Sequence, residues 1–396
     1  MIIRARPKYL KTEHFEDLQD DRNQRGFYFN TGRATLLFLL KNLKKYYNIK
    51  KPVIVIQSFN CFVVAEAALK AKWDIKLIDI STRGDFSITL DTLKRVENVH
   101  ACLLTHYQGI PNFDYIEIAK YCKKTGIILI EDIAQTYGSS INKAPIGTLG
   151  DFSMESYAFD KPFTCWQGGK LNINRSGSKI PTLIQKEYHN LDEENPYRAQ
   201  KDIEWLELLF SKTGDSSSKK LWLEHNIAKK NFDMGINPKT LELFYFKPFN
   251  LIFKLLLNLV SKNTLKDYYL PQKLHPSKIK LINLQKKDYK YDNSEVEALE
   301  NLLAKNGCNY FRQNLKDVNI HWNRYSILDK DNEIKTLMKS LNVQAQNYNW
   351  PQPLHDLYKN NKNVLLESNN FKHSDMASIN VINIPVWSNF FQKLNS

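Results

Sequence analysis

Hydrophobic and polar positions follow two different periods between residues 27 and 175. Short apolar runs bounded by polar residues predict buried strands at PVIVIQ, DIKLIDI, HACLLTH and IILIED. Between these runs, apolar residues recur at three- and four-residue spacing and predict helices at TGRATLLFLLKNLKKYY, FVVAEAALKAK, TLDTLKRV and YIEIAKYCKKTG. Strands that alternate with helices imply right-handed crossovers. We therefore expect an α/β fold whose mainly parallel sheet is covered on both faces.

The pattern changes after residue 180 and divides the chain into three predicted regions. Residues 1–180 are expected to form the main part of a large ligand-binding domain. Residues 181–285 are typical of a mostly helical insertion that contains a polar loop, SKTGDSSSKK. Residues 286–396 alternate helices, SEVEALENLLAKN and EIKTLMKSLN, with strand-like pieces, VNIHWNRYSIL and VINIPVW. This last region predicts a smaller C-terminal α+β domain.

One segment of the insertion, residues 241–262, is strongly apolar: LELFYFKPFNLIFKLLLNLVSK. Lysine, proline and asparagine interrupt it at Lys247, Pro248, Asn250, Lys254 and Asn258, which argues against a membrane-spanning helix. We expect the segment to pack against protein, in the core or at a dimer interface. A helix that lies on a membrane surface remains the alternative.

The composition and the cysteines narrow the class of protein. Hydrophobic residues make up 42% of the chain, which is enough for a sizeable packed core. The five cysteines are scattered and form no C-x-x-C pair, so we expect reduced thiols rather than a disulfide framework or a metal site. The segment MIIRARPKYLKTEHF lacks the apolar stretch of a signal peptide. A cytoplasmic location is the resulting expectation.

The net charge of +14 has three possible origins. It could reflect binding of nucleic acid, attraction of an anionic small substrate or membrane surface, or a general enrichment in lysine. The basic residues are dispersed and no nucleic-acid-binding motif is present. We therefore expect no nucleic-acid partner and leave the other two origins open.

Polar residues follow two neighbouring predicted strands. Asp132 lies at the carboxyl end of IILIED, with Gln135 three residues further on, and His106 ends the preceding strand. In parallel sheets, ligands bind beyond the carboxyl ends of the strands. An isolated acid or histidine at such a position often serves only a structural role. Two of them at neighbouring strand ends favour a shared site.

Lys161 lies among aromatic and small residues in SYAFDKPFTCWQGGK. It could simply point to solvent. A lysine can also act as a nucleophile, and pyridoxal phosphate is the cofactor that best uses such a lysine. That cofactor needs a carboxylate at its ring nitrogen, a phosphate site and a flat group against its ring. Asp132, the turn at Gly32 together with Ser156, and an aromatic residue of QSFNCFVVA are candidates for these parts.

Taken together, these segments resemble the DegT/DnrJ/EryC1/StrS sugar aminotransferases, which are pyridoxal-phosphate enzymes of the aspartate-aminotransferase fold (fold type I). The resemblance covers residues 28–175 and 285–390. Its most specific part is the block EDIAQ followed by SYAFDK, in which Lys161 lies 29 positions after Asp132. The other matching segments, in order, are TGRATL, QSFNCFVVAEAAL, DISTRGDFSITLDTL, THYQG, NYNWPQPLHDL and INIPVW.

The resemblance implies a role for each candidate residue around the cofactor. Lys161 would attach the cofactor covalently and move the proton during the reaction. Asp132 would pair with the pyridine nitrogen, Gln135 would contact the ring hydroxyl, and Phe62 would stack on the ring. The remaining positions would hold the phosphate, namely Ser156 and the backbone at Gly32, Arg33 and Ala34.

Two histidines and one lysine have less defined roles in this resemblance. His106 and His355 would lie near the substrate. Family members usually send an asparagine into the phosphate site of the partner subunit, whereas the nearest match here, DYKYDNSEV, carries Lys290 at that position. A lysine can still meet phosphate as a point charge, so this correspondence stays open.

The activity implied by the resemblance is transfer of an amino group from an amino acid, with glutamate expected, to a nucleotide-linked keto-sugar. The product would serve cell-surface polysaccharide or related glycan synthesis, and the enzyme would be a homodimer. Relatives that dehydrate sugars carry histidine at the position of Lys161. The alternative is a non-catalytic relative that acts as a binding or scaffold protein in polysaccharide assembly.

Overall fold

The computed structural model describes residues 26–81, 83–175, 179–212, 270–308, 317–343, 345, 350–368, 370–386 and 390–395. The apolar segment 241–262, and with it the choice between protein and membrane contact, lies outside these residues. Across the described part of the chain, none of the helices combines the length and the apolar character needed to cross a bilayer.

An eight-stranded sheet forms the centre of the described structure. In spatial order its strands are β1 (Phe27–Phe29), β9 (Gly169–Ile173), β8 (Phe152–Ser156), β5 (Ile128–Asp132), β4 (Ala101–Thr105), β2 (Val53–Gln57), β3 (Asp74–Ile78) and β12 (Val364–Leu366). Strand β9 runs antiparallel to both of its neighbours, and the other pairs are parallel. The predicted α/β fold with a mainly parallel sheet is confirmed.

Helices connect and cover these strands. Those of the first half are α1 (Gly32–Tyr47), α2 (Phe62–Lys70), α3 (Leu90–Lys94) and α4 (Tyr115–Thr125), each within a few residues of its predicted bounds. The later helices are α5 (Ile180–His189), α6 (Pro196–Lys212), α7 (Pro276–Lys287), α8 (Ser294–Lys305), α9 (Glu333–Ser340), α10 (Leu354–Tyr358), α11 (Lys372–Asn380) and α12 (Phe390–Asn395).

Two small sheets complete the described fold. Strands β6 (Ser140–Ile141), β7 (Ala144–Pro145) and β10 (Val318–Asn319) form one of them. The other pairs β11 (Tyr325–Leu328) with β13 (Val381–Ile384) in antiparallel register. The second pair lies within the two strand-like pieces predicted near the C-terminus.

Helix α1 packs along β8 and β9 and carries a large part of the core. Thr31 caps its first turn by accepting a hydrogen bond from the Ala34 N–H at 3.0 Å. Leu36, Leu39 and Leu40 are almost fully buried, and each such leucine stabilises the fold by about 1.5–3 kcal/mol through the hydrophobic effect. The start of α1 is therefore held firmly against the sheet.

Strand β12 was not predicted from the sequence. It comes from the C-terminal part of the chain but extends the large sheet by pairing in parallel with β3. Its three residues, Val364 to Leu366, show too little periodicity for assignment, and its partner lies almost 300 residues earlier in the chain.

The described part of the predicted insertion packs onto the large sheet region. Leu274, Leu281 and Ile282, at the start of and within α7, share a buried cluster with Tyr28 and Tyr157. These contacts join residues 270–287 to the region predicted as the large domain. The boundaries at 180 and 285 remain a prediction.

A buried ion triad fastens α6 to α7. Lys278 is fully buried, and its Nζ donates to Glu194 Oε1 at 2.8 Å and also to Asp202 Oδ2. Burial raises the pKa of Asp202 to about 7. The negative charge of Glu194 adds to this rise, whereas the positive charge of Lys278 opposes it. The Oδ1 atom of Asp202 has no hydrogen-bond partner among the described residues. One buried cation is thus the ion-pair partner of two buried carboxylates.

Removing the cation of this triad should lower the free energy of unfolding far more than removing one carboxylate charge. Lys278→Met leaves two carboxylates buried without a counter-ion, and we expect a loss of about 3–5 kcal/mol in the free energy of unfolding. Asp202→Asn leaves a balanced Lys278–Glu194 pair and should lose much less. Urea unfolding of both variants measures the difference, and equal losses would contradict the assignment.

The same triad predicts a dependence of stability on pH. Because the pKa of Asp202 is higher in the folded chain than in the unfolded chain, its contribution is fully present below about pH 4 and is lost as the pH rises towards about 7. The Asp202→Asn variant lacks this contribution. We therefore expect the stability difference between wild type and variant to shift in favour of the variant over that pH range, as measured by unfolding at several pH values. A constant difference would contradict the prediction.

Candidate active site

Asp132 is the last residue of β5, at the carboxyl end of the parallel strands. Its side chain is buried, and Oδ1 accepts a hydrogen bond from the Ala134 N–H at 3.0 Å. Burial raises the pKa of Asp132, while this hydrogen bond and the charges of Lys161 and His106 oppose the rise. A buried carboxylate of this kind is stabilised by a cationic partner.

Lys161 lies in the loop between β8 and β9, where its N–H donates to the Ala158 carbonyl at 3.1 Å. Its side chain is only 15% exposed, and Nζ donates to Asp160 Oδ2 at 3.2 Å. The amine is also close enough to act electrostatically on Asp132 and on Cys61. Lys161 is therefore not an ordinary surface lysine, because most of its side chain is buried.

Ser156, Gly32 and Gly169 converge at the start of α1. A Cβ atom added at Gly32 would lie 3.0 Å from both Cβ and Oγ of Ser156, so the serine side chain packs directly on this turn. A Cβ atom at Gly169 would lie 2.8 Å from Gly32 Cα and 2.8 Å from the Thr31 carbonyl oxygen. The N-terminus of a helix beside a serine hydroxyl and two glycines suits a phosphate group.

The predicted phosphate contact at Ala34 stays a prediction. The Ala34 N–H donates to Thr31 Oγ1, so the helix cap uses this amide as well. Gly32 and Arg33, at the first two positions of α1, are the other backbone candidates, together with the Ser156 hydroxyl.

Phe62 begins α2, and its side chain is 49% exposed. The adjacent Cys61 has a raised pKa because it is buried, although the nearby charge of Lys161 opposes this effect. Cys61 is thus within electrostatic range of Lys161 and Asp132, and Phe62 is the next residue in the chain. An exposed aromatic ring at this point is available to cover a flat ligand.

Gln135 provides a direct test of whether a ligand fits. The side chain is buried, yet Oε1 finds no hydrogen-bond partner among the described residues. Such orphaned buried atoms are uncommon in folded proteins. Together with the buried carboxylate of Asp132 and the turn around Gly32, this oxygen fits pyridoxal phosphate, which offers a ring hydroxyl, a ring nitrogen and a phosphate.

His106, predicted to lie near the substrate, is enclosed by the protein at the end of β4. Its ring is fully buried, with Nδ1 accepting from the Asn112 N–H at 3.1 Å and Nε2 lying 3.4 Å from Glu131 Oε2. It packs edge-on against Tyr115. His106 therefore supports the strand ends from within.

His355 lies next to the end of β2, and both ring nitrogens are engaged. Nδ1 is 2.7 Å from Ser58 Oγ, and Nε2 is 3.2 Å from Asp375 Oδ1. The ring stacks on Phe371 at 4.3 Å. These contacts anchor α10 to the sheet.

Lys290, the predicted counterpart of the family's asparagine, lies in the connection between α7 and α8.

Sequence reasoning overlooked two residues at this site. Gly169 belongs to the Gly-Gly pair that follows Lys161, but the close approach to α1 was not predicted from it. Cys61 had only been counted among the scattered thiols. The spacing of Gly169 from Lys161 was the one available signal, because close backbone packing leaves no trace in hydrophobic periodicity.

Comparison with protein families gives a match to the DegT/DnrJ/EryC1/StrS aminotransferase family over residues 21–185. Among curated proteins, the chain is 27% identical over 140 residues to UDP-4-amino-4,6-dideoxy-N-acetyl-beta-L-altrosamine transaminase of Campylobacter jejuni, covering 34% of this chain and 37% of that protein. It is 30% identical over 118 residues to dTDP-4-dehydro-2,3,6-trideoxy-D-glucose 4-aminotransferase of Saccharopolyspora spinosa, covering 29% of this chain and 30% of that protein. The matches thus span about a third of these relatives.

Solved structures match over almost the whole chain. The aminotransferase PseC of Helicobacter pylori, involved in the biosynthesis of pseudoaminic acid, superposes with a TM-score of 0.64 at 15% identity and covers 99% of this chain and 96% of its own. A GDP-4-keto-6-deoxy-D-mannose-3-dehydratase of E. coli with bound hydrated pyridoxal phosphate gives 0.61 at 17% identity, with coverages of 97% and 87%. These structures confirm the predicted fold, and the family match over residues 21–185 agrees with the predicted family and its pyridoxal phosphate cofactor.

The close approach at Gly169 predicts a specific loss of phosphate affinity. In Gly169→Ala the new methyl group collides with the backbone of Gly32 and Thr31, so the start of α1 must move away from Ser156. We expect the dissociation constant for pyridoxal phosphate to rise by about tenfold or more, as measured by equilibrium titration.

Gly126→Ala is the control for this substitution. Gly126 ends α4 with a left-handed backbone (φ +75°) and has open space around it, so alanine there costs about 1 kcal/mol of stability without a collision. Its cofactor affinity should equal that of the wild type. Unchanged affinity in Gly169→Ala would show that the approach to α1 does not shape the site.

Proposed function

Because residues 21–185 belong to the DegT/DnrJ/EryC1/StrS aminotransferase family, we propose that the protein is a pyridoxal-phosphate-dependent aminotransferase. It transfers an amino group from an amino acid to the ketone of a nucleotide-linked keto-sugar. The observation that carries this proposal is the convergence of Lys161, Asp132 and the Ser156–Gly32 turn beside the orphaned oxygen of Gln135.

Each residue has a distinct task in the proposed reaction. When bound, pyridoxal phosphate supplies an electron sink that stabilises negative charge at the reacting carbon. Lys161 holds the cofactor through its amine and moves a proton as general base and acid. Asp132 keeps the ring nitrogen protonated by offering a buried negative charge to it.

The surrounding residues hold the cofactor in register with Lys161. Ser156 and the start of α1 bind the phosphate, Gln135 accepts a hydrogen bond from the ring hydroxyl, and Phe62 covers one face of the ring. Orientation of this kind lowers the entropic cost of the proton transfer.

The identity of residue 161 supports amination over dehydration. Dehydrating members of the family carry histidine at this position according to the resemblance, whereas this chain carries a lysine whose charge opposes the rise in the pKa of Asp132. Two of the curated relatives that match are a transaminase and an aminotransferase whose names give nucleotide-linked sugars as substrates. They support a substrate of the same class here.

The remaining parts of the proposal extend the same resemblance. Glutamate is the expected amino donor, and the product would enter cell-surface polysaccharide or related glycan synthesis in the cytoplasm. The net charge of +14 is favourable for a substrate that carries a diphosphate. We also propose a homodimer, which sedimentation at working concentration tests; a monomeric enzyme with full activity would contradict that part.

The proposal predicts a visible absorption band when pyridoxal phosphate is added to the purified protein. Glutamate should bleach this band, because the first half-reaction transfers its amino group to the cofactor. In Lys161→Arg, which keeps the positive charge but cannot attach the cofactor, the band should be altered and the bleaching rate should fall by about 10²–10⁴-fold. Absorption spectroscopy with rapid mixing measures both.

Lys143→Ala is the matched control, since Lys143 is an exposed lysine of the β6–β7 turn. It should behave as the wild type. A wild-type protein that takes up no cofactor would refute the enzyme proposal and favour the scaffold alternative. A protein that takes up the cofactor and dehydrates keto-sugars without aminating them would refute the aminotransferase assignment alone.

A further inference from the structure

Lys286, in the last turn of α7, points its amine into the large sheet region. Nζ lies 2.5 Å from Glu155 Oε2 and 3.2 Å from the Tyr157 hydroxyl. The same carboxylate accepts hydrogen bonds from the Tyr157 hydroxyl at 2.9 Å and from Asn172 Nδ2 at 3.2 Å. The Lys286 side chain is only 17% exposed, so this ion pair is largely withdrawn from water.

Three aromatic rings surround the Lys286 amine. The distances from Nζ to the ring centroids are 5.1 Å for Tyr137, 5.3 Å for Tyr157 and 5.6 Å for Phe163. All three distances fall within the range of cation–π attraction, which is strengthened when the cation is desolvated. Tyr137 and Phe163 also contact each other edge-on at 4.5 Å.

Each ring belongs to a different segment of the proposed cofactor site. Tyr137 lies two residues after Gln135, and Tyr157 directly follows Ser156. Phe163 lies two residues after Lys161. One ammonium group thus contacts the segments that carry the ring-hydroxyl contact, the phosphate contact and the covalent attachment point.

Glu155 carries a negative charge and therefore forms a true ion pair with Lys286. Burial alone would raise the pKa of Glu155, but the charges of Lys286 and Lys170, with hydrogen bonds from Lys286 and Asn172, lower it overall. The carboxylate is therefore ionised at neutral pH. Lys170 lies further away, at 3.9 Å from Oε1.

The residue before Lys286 fixes the same loop by a second route. Gln285 is buried, and its Oε1 accepts from the Thr164 N–H at 3.0 Å while its Nε2 donates to the Thr164 carbonyl at 2.7 Å. Two consecutive residues of α7 therefore reach the loop that contains Lys161.

We infer that Lys286 is a positioning residue, whose caged ammonium group holds the segments of Gln135, Ser156 and Lys161 in register for the cofactor. This inference rests on the proposed function for its consequence in cofactor binding. Lys286 orders the three segments in the cofactor-free protein as well, so this part of the inference does not depend on the proposed function.

The first test is hydrogen exchange of the cofactor-free protein, followed by mass spectrometry. In Lys286→Met, which keeps the aliphatic length but removes the charge, peptides that contain Tyr137, Tyr157 and Phe163 should exchange faster than in the wild type. Lys287→Met, at the exposed neighbouring position, should leave these peptides unchanged. Unchanged exchange in all three peptides of Lys286→Met would overturn the inference.

The second test separates positioning from charge neutralisation. Lys286→Met should raise the dissociation constant for pyridoxal phosphate by about tenfold, and Lys286→Arg should recover a large part of this loss because it restores a cation above the rings. The double variant Lys286→Met with Glu155→Gln also removes the negative charge that Lys286 balances in the wild type. It should still bind the cofactor weakly.

The outcomes of these tests distinguish the inference from the proposed function. Wild-type affinity in the double variant would mean that Lys286 only compensates Glu155, which overturns the inference while leaving the function intact. A wild-type protein without cofactor affinity would refute the function, and the exchange measurements would still decide whether Lys286 orders the three segments.

Discussion

The parallel pairing of β5 with β8 is the constraint on which the candidate site depends. Asp132 lies opposite Met154 in this pairing, so the carboxyl end of β5 and the loop that follows Ser156 open on the same edge of the sheet. Residues 132 and 161 are distant along the chain, yet in the fold the charge of Lys161 lowers the pKa that burial gives Asp132. Helix α1, held against β8 and β9, then places its N-terminus beside Ser156.

Buried charges tie the surrounding parts of the fold to this edge. Glu131, the neighbour of Asp132, points away from the site and accepts the N–H groups of Gly147 and Gly150, both at 2.6 Å. Lys278 joins α6 and α7, and Lys286 joins α7 to the cofactor segments. Pairs of this kind contribute to a unique arrangement more than to net stability, because desolvation offsets much of their attraction. Helix α7 is thus held by the buried Lys278 and the largely buried Lys286, and its position is coupled to that of the site.

Local periodicity and residue chemistry were sufficient to predict the central part of the structure. The strand before Asp132 and the helix after Gly32 have strong patterns of their own, and resemblance to a family added roles to Lys161, Gln135 and Phe62. The structure brings these residues to one edge, although their roles stay proposals. The phosphate contact at Ala34 stays a prediction, and its N–H group also donates to the helix cap at Thr31.

Other features could not be predicted because they depend on contacts between distant parts of the chain. The parallel pairing of β12 with β3, the close approach of Gly169 to α1 and the cage around Lys286 each join segments that carry no local signal of their partner. Lys286 in particular has the spacing of an ordinary exposed helix residue. Only the packing of α7 against β8 shows that its amine is enclosed.

A crystal structure of the protein with added pyridoxal phosphate tests the central claim most directly. The account predicts continuous electron density from Lys161 Nζ to the cofactor, with the ring nitrogen at Asp132 and the phosphate between Ser156 and the start of α1. Cofactor bound at a different lysine, or a phosphate placed away from Gly32, would contradict it.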